Sequence, residues 1–225
     1  MMSDSEEDVP TLSTHTLAAL QEFYAETLGV QSLDPEPTQQ FAVGALGEDW
    51  GLSQFWYSED TARQLAEELV QEAGPGGRIA CVSAPSVYQK LKQGVVAGSE
   101  DVSVQLLEND RRFASYGDDF IFYDYHQPLA LPAHVHPHSF DVVLADPPYL
   151  SHECLSKVAQ TVRYLSKGKV LLCTGAVMQS TAKELLDVDM CDFLPQHHRN
   201  LSNDFRCYTN YPSSGLSAGA PSGNT

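Results

Sequence analysis

The stretch "HSFDVVLADPPYLSHE", residues 138–153, contains an apolar strand that ends abruptly. The apolar run 142–145 indicates a strand, and Asp146-Pro147-Pro148-Tyr149 follows at once. Two consecutive prolines cannot continue a central strand, because neither has a backbone N–H for the ladder. The strand therefore ends by presenting a carboxylate, a rigid backbone and a phenol ring.

The rest of the chain alternates strands and helices around this stretch. From residue 78, apolar runs and turn signals predict the order β-α-β-α-β-β-α-β-α-β-β, in which residues 189–199 and 205–211 are the last two strands. An amphipathic helix is predicted within 12–30 and a second one at 58–74. This order predicts an α/β fold with a mostly parallel seven-stranded sheet and an antiparallel C-terminal strand.

The predicted organisation has four parts. Residues 1–11 are acidic and are expected to be disordered, and 12–57 form an N-terminal helical extension with an aromatic segment. The α/β domain spans 58–211. The tail, "PSSGLSAGAPSGNT" at 212–225, is expected to be flexible because it has too little apolar surface to offset its ordering entropy. Trimming the tail should therefore be harmless, whereas removing the first 30 residues should not.

Composition narrows the classes of partner. The chain of 225 residues has 13 basic and 30 acidic residues, for a net charge of −17, and no Lys/Arg-rich run. This balance argues against nucleic acid and favours a basic partner, although an acidic surface also serves solubility alone. The five scattered cysteines suit reduced thiols. No membrane-length apolar run or signal peptide is seen, so a soluble, cytoplasmic protein is expected.

Acids follow three of the predicted parallel strands. Glu108 and Asp110 follow the second, Asp124 the third and Asp146 the fourth. In such a sheet, ligands bind in the crevice outside the carboxyl ends of the strands, and an acid after the second strand bonds the two hydroxyls of a ribose. Asp124, with Tyr125 beside it, is suited to accept from an adenine amine. Acids are also common at exposed strand ends, which is the alternative for each of them.

The Asp146-Pro147-Pro148-Tyr149 turn is suited to orienting an amine. The carboxylate can accept one hydrogen, and a carbonyl of the rigid turn can accept a second hydrogen from the same nitrogen. The nitrogen lone pair then points into the crevice, and Tyr149 supplies a flat wall. Orientation toward an electrophile supplies most of the rate in this kind of chemistry.

D-P-P-Y after a fourth strand resembles the motif of S-adenosylmethionine-dependent amino-methyltransferases. The blocks "LSQFWYS", "GGRIACVSAPSVYQKL", "FIFYDY", "VLLCTGAVM" and "FRCYTNY" are similar to the subfamily of lysine methyltransferases that act on translation elongation factor 1-alpha, over about residues 12–211. The resemblance implies a Rossmann-like class I methyltransferase fold, S-adenosylmethionine as methyl donor, and elongation factor 1-alpha as a basic protein substrate. Adenine amino-methylation of DNA or RNA is the first alternative, and a non-catalytic binding module is the second.

The resemblance also implies roles for individual residues. The catalytic set is Asp146, Pro147, Pro148 and Tyr149, and the cofactor-binding set is Phe55, Trp56, Ser83, Ala84, Glu108, Asp124 and Tyr125.

Four further features of the sequence bear on the site. The loop after the first strand, "CVSAPSVY", lacks the usual G-x-G spacing, and Pro85 removes one donor there. The aromatics at 55–57 suit the site and the core equally well. Residues 194–204 are placed by position at the border of the substrate cleft. The three histidines at 134–138 lack supporting ligands, so no metal is expected. The protein is also expected to be a monomer.

Overall fold

The computed structural model describes residues 41, 54–198 and 203–217. These residues belong to a compact unit that spans Pro37–Thr225. The predicted acidic N-terminus, the helix predicted within 12–30 and residues 218–225 lie outside the described residues.

A seven-stranded sheet forms the centre of the described part of the chain, as the sequence predicted. Its order is β3-β2-β1-β4-β5-β7-β6, and β7 is antiparallel to both of its neighbours while the first five strands are parallel. The strands are β1 Arg78–Val82, β2 Ser103–Glu108, β3 Phe120–Phe122, β4 Phe140–Ala145, β5 Ser166–Gly175, β6 Asp189–Met190 and β7 Phe205–Thr209.

Helices follow the strands in the predicted order. They are α1 Glu59–Ala73, α2 Pro85–Lys92, α3 His152–Leu165 and α4 Gln179–Leu186, with 3₁₀ segments at Ser99–Asp101, Arg111–Asp119 and Ala176–Met178. Helix α1 begins where the sequence predicted, because the Ser58 side chain accepts a hydrogen bond from the Thr61 backbone N–H at 3.2 Å. Within the described residues, no helix combines the length and the apolar character that crossing a bilayer requires.

Both faces of the sheet are covered, which is why its central strands are apolar throughout. In β1, Ile79 and Cys81 join a core cluster that contains Leu65 of α1. Ala80 and Val82, which point to the opposite face, join a second cluster with Leu155 of α3. Because β1 to β5 run parallel to one another, their carboxyl ends lie along one edge of the sheet.

The predicted sixth strand is shorter than expected. Strand β6 is only two residues long, and Pro195 lacks the N–H that would continue the ladder. The chain beyond it pairs with the aromatic segment instead: His198 N donates to the Trp56 carbonyl at 2.9 Å, and an antiparallel bridge joins Tyr57 to His197. This pairing holds the aromatic segment against the domain.

Residues 212–217, which the sequence predicted to belong to a flexible tail, make specific contacts with the domain. Leu216 is buried in the same cluster as α1, and its carbonyl accepts from the Phe193 backbone N–H at 2.9 Å. The Gln64 side chain donates to the Gly215 carbonyl at 3.1 Å, and Ser213 Oγ accepts from the Leu216 N–H. One buried leucine and several hydrogen bonds therefore order this segment in spite of its Ser/Gly composition.

Candidate active site

A cleft of about 730 Å³ opens at the carboxyl edge of the sheet. Its walls come from the ends of β1 to β4, from the aromatic segment, from the 3₁₀ segment after β5 and from the chain that leads into β7. Every site residue predicted from the sequence lines it: Phe55, Trp56, Ser83, Ala84, Glu108, Asp124, Tyr125, Asp146, Pro147, Pro148 and Tyr149. The structure therefore places all of these residues around one cleft.

The turn after β1 is tight although it has no glycine. Ser83 takes the left-handed conformation at φ 54°, and its N–H donates to the Leu107 carbonyl at 2.8 Å. Pro85 opens α2, where a backbone N–H has no partner within the helix and its loss costs little. The small residues Ser83 and Ala84 thus make the turn that a glycine loop makes elsewhere.

Glu108, at the end of β2, is a buried acid that lines the cleft. Its Oε1 accepts from the backbone N–H groups of Asn109 at 2.9 Å and Asp110 at 3.3 Å. Burial raises the pKa of Glu108 to about 7, although these two hydrogen bonds lower it.

Asp110, two residues after Glu108, pairs with an arginine instead of facing the cleft. Although burial raises its pKa, Arg112 contacts its carboxylate through the backbone N–H at 2.9 Å and through the guanidinium, and the net pKa is lowered. Asp110 does not line the cleft, so of these two acids only Glu108 faces it.

Asp124 and Tyr125 follow β3 on the same side of the cleft. The Asp124 carboxylate accepts from the His126 backbone N–H at 2.9 Å and lies 2.8 Å from His126 Nδ1. These contacts lower the pKa of Asp124, so it is an anion at neutral pH. The Tyr125 ring meets the edge of the Tyr149 ring at 5.9 Å between centroids, and the two rings form one aromatic wall.

Asp146 lies at the end of β4, where its backbone N–H donates to the Val82 carbonyl at 3.0 Å. Burial raises the pKa of its carboxyl to about 7, the nearby Tyr57 hydroxyl lowers it, and the Glu108 charge raises it. Tyr149 is 43 % exposed at the mouth of the cleft, which is an open position for a ring that contacts a substrate.

Trp56 and Phe55 also line the cleft. Trp56 is buried and packs edge-on against Phe113 at 6.2 Å, so it serves the core as well as the cleft. Phe55 is half-buried. Trp56 thus both packs in the core and lines the cleft, whereas Phe55 lines the cleft without belonging to a core cluster.

The sequence missed several cleft residues. Residues 194–204 were expected at the border, and His197 and Asn203 do line the cleft. Tyr57, Tyr123, Val177 and Phe205 were not assigned to it. Tyr57 stood in the aromatic segment as a candidate of equal weight with its neighbours, but nothing in the sequence indicated the direction of its hydroxyl.

The charges of the cleft have one sign. Its described lining contains three carboxylates, Glu108, Asp124 and Asp146, and two histidines, but no lysine or arginine. Among the described residues, no group of three His, Cys, Asp or Glu side chains is arranged to hold a metal ion. The cleft is therefore suited to ligands that carry positive charge or amino groups.

This sheet order, with acids after β2, β3 and β4 and a D-P-P-Y turn in one cleft, defines a methyltransferase of the Rossmann-like class. Residues 48–213 match the family described as "Probable N6-adenine methyltransferase". The chain is 61 % identical over 213 residues to "EEF1A lysine methyltransferase 1" of Mus musculus, covering 94 % of this chain and 97 % of the relative. The Homo sapiens relative of that name is 58 % identical over 219 residues, covering 97 % and 100 %.

A more distant relative extends the same group. The chain is 36 % identical over 228 residues to "Protein-lysine N-methyltransferase EFM5" of Saccharomyces cerevisiae, covering 89 % of this chain and 92 % of the relative. The chain belongs to this family of protein-lysine N-methyltransferases.

Proposed function

We propose that this protein transfers a methyl group from S-adenosylmethionine to a lysine of translation elongation factor 1-alpha. The observation that carries the proposal is the position of Asp146. Its carboxylate ends β4 inside a cleft lined with acids, beside the exposed Tyr149. That arrangement suits an amine that must be held at a defined angle to an electrophile.

The residues after β1, β2 and β3 fit the cofactor. Glu108 is a buried carboxylate whose backbone contacts go to one oxygen, which suits the acceptance of two ribose hydroxyls. Asp124 is suited to the adenine amine, and Tyr125 to its ring. Ser83 and Ala84 leave room for close approach, and Phe55 and Trp56 would border the methionine part. When bound, S-adenosylmethionine supplies an electrophilic methyl group on a positively charged sulfur.

The substrate amine must lose a proton before it can react. A free lysine has a pKa of about 10.4, so it arrives as an ammonium without a lone pair. Desolvation in the cleft lowers that pKa, so the ammonium gives its proton to solvent as it enters, and Asp146 then accepts a hydrogen bond from the neutral nitrogen. Pro147 and Pro148 hold the turn rigid, so the lone pair of the neutral amine is aimed at the methyl group. Tyr149 walls the apolar lysine stem.

The choice of substrate rests on charge and on the relatives. Proteins 57–61 % identical to this chain carry EEF1A in their names. The net charge of −17 and a cleft without lysine or arginine in its described lining favour a basic protein surface. The proposal includes a monomeric protein that acts in the cytoplasm, where it would meet a translation factor.

Adenine amino-methylation is the second candidate, because the matching family description names N6-adenine. An exocyclic amine presents two hydrogens to the same acceptors, and the base would have to be flipped into the cleft. A nucleic-acid enzyme needs cations along the phosphate path. The described cleft lining offers none, so the protein substrate is the stronger candidate.

One experiment separates the candidates. The purified protein is incubated with methyl-labelled S-adenosylmethionine and either elongation factor 1-alpha, DNA or RNA. Transfer to the protein alone is expected. Asp146→Ala should abolish it, and Asp141→Asn, at the other end of the same strand, is the matched control that should retain it. Transfer to nucleic acid would replace the proposal, and cofactor binding without any transfer would favour a non-catalytic binding module.

A further inference from the structure

Tyr57 is a cleft residue with no assigned role. Its side chain is 1 % exposed, and its hydroxyl forms no well-aligned hydrogen bond with the residues that the structure describes, although it lies close enough to the Asp146 carboxylate to interact with it. Leaving a buried hydroxyl unpaired is costly, and native structures rarely do so without a functional reason. The position of this hydroxyl therefore requires an explanation.

The Tyr57 backbone and ring are held firmly. Its N–H donates to Ser86 Oγ at 3.3 Å, at the start of α2. Its backbone bridges to His197, and its ring lies 4.7 Å from the His197 ring at an angle of 33°. Contacts from two separate segments thus fix the direction of the phenol, so its hydroxyl cannot simply swing to another partner.

Three polar groups interact electrostatically with the hydroxyl. They are the Asp146 carboxylate at the end of β4 and the thiols of Cys173 in β5 and Cys207 in β7. The two thiols lie 3.6 Å apart and contact each other. A carboxylate is a much stronger acceptor than a thiol, so Asp146 is the natural partner of the phenol.

We propose that Tyr57 is a positioning residue, whose hydroxyl donates to one Asp146 oxygen and so turns the carboxylate toward the substrate amine. The inference rests on the proposed methylation of an amine by this site. Hydrogen bonds of this kind are often long in a ligand-free site and close when substrate binds. With one oxygen held by Tyr57, the other is left to accept from the amine.

The charges around Asp146 agree with this role. Burial raises the pKa of Tyr57 well above its usual value, and so does the Asp146 charge, so the phenol keeps its proton. For Asp146 itself, burial and Glu108 act to raise the pKa, whereas Tyr57 acts to lower it. Loss of the hydroxyl should therefore raise the pKa of Asp146 and leave it protonated over a wider range of pH.

Tyr57→Phe tests the proposal, because it removes one oxygen atom and keeps the ring. Tyr211→Phe is the matched control: Tyr211 also has a buried, unpaired hydroxyl and also faces an acid, Glu68, but it does not line the cleft. Tyr57→Phe should lower kcat about 10-fold or more. The Tyr57→Phe variant should keep KM and the affinity for S-adenosylhomocysteine within about twofold of the wild type. Tyr211→Phe should leave kcat, KM and this affinity unchanged.

A second measurement does not depend on activity. The carboxyl carbon of Asp146 is followed by NMR across pH, with Asp146→Asn used to assign the signal. Tyr57→Phe should move its midpoint upward, and the control should not. An unchanged midpoint together with an unchanged kcat overturns the proposal. If the wild type methylates no amine but the midpoint still moves, the proposed function fails while the Tyr57–Asp146 contact stands.

Discussion

Substitution of Glu108 gives the most direct test of the proposed site. Burying this carboxylate should lower the stability of the folded protein, while the same carboxylate should raise the affinity for the cofactor. Burial raises its pKa from 4.5 to about 7, which corresponds to roughly 3 kcal/mol. Because the folded pKa is the higher one, the folded protein is favoured by protonation. The cost of ionising Glu108 is absent below about pH 4.5, accumulates as pH rises, and is complete above about pH 7.

Glu108→Gln removes this cost, because glutamine never ionises and its oxygen can still accept from the Asn109 and Asp110 N–H groups. At pH 8 we expect a gain of about 1–3 kcal/mol, or roughly 3–8 °C in Tm, since burying the new amide offsets part of it. At pH 5 the gain should be under about 1 kcal/mol. Affinity for S-adenosylhomocysteine should fall about 10-fold or more, through loss of a charge-assisted bond.

Asp110→Asn is the matched control at the same strand end. Its pKa is lowered, so its charge stabilises the fold above its usual pKa and that contribution is lost only in acid. The control should melt lower at both pH 5 and pH 8, and its affinity should change only a few-fold. Melting curves at the two pH values measure the change in Tm, and calorimetry measures the change in affinity for S-adenosylhomocysteine. A lower Tm for Glu108→Gln at pH 8, or an unchanged affinity, would refute the reasoning.

Two further predictions concern the catalytic turn and the C-terminal segment. Asp146→Ala should lower kcat by about 100-fold or more, because the lost acceptor holds the amine. Calorimetry should show an affinity for S-adenosylhomocysteine within a few-fold of that of the wild type. If the variant retains more than about a tenth of the activity, another residue orients the amine. Truncation after Tyr211 should lower Tm clearly, because it removes the buried Leu216, and Leu216→Ala alone is expected to cost about 2–5 kcal/mol. Truncation after residue 217 keeps Leu216 and should leave Tm unchanged. Equal Tm values for the two truncated proteins would contradict this.

The sheet and the acids of the site could be predicted because they follow from local rules. Apolar runs between turn signals locate the strands, and the carboxyl ends of parallel strands meet at one edge. Glu108, Asp124 and Asp146 therefore had to lie together once the order of strands was read. The family resemblance added the identity of the ligand, which spacing alone does not give.

The missed features depend on contacts between distant parts of the chain. Residue 57 pairs with His197, which lies 140 positions later, and Leu216 packs beside α1. No local pattern encodes such a pairing, because a Ser/Gly-rich segment has the same composition whether it is ordered or not. The direction of the Tyr57 hydroxyl depends on the same long-range contacts.

The single sign of the charges in the cleft leads to a last prediction. Glu108 and Asp146 both ionise near pH 7, and the Glu108 charge makes ionisation of Asp146 harder. A cation bound between them offsets that cost. S-adenosylmethionine carries a positive charge on sulfur, and S-adenosylhomocysteine, the product, does not. Raising the pH should therefore favour the charged donor over the neutral product.

The effect is measured as the ratio of the two affinities. Between pH 6 and pH 8 the ratio should rise several-fold, as expected for one unit charge several ångströms from a partly screened carboxylate. Calorimetry with each ligand at both pH values gives the ratio, and comparing the two ligands cancels proton effects that they share, such as those of the ribose on Glu108. Asp146→Asn should flatten the dependence. A ratio that stays constant or falls with pH would mean that these carboxylates do not interact with the sulfur centre, and that their raised pKa values serve only the amine and the ribose.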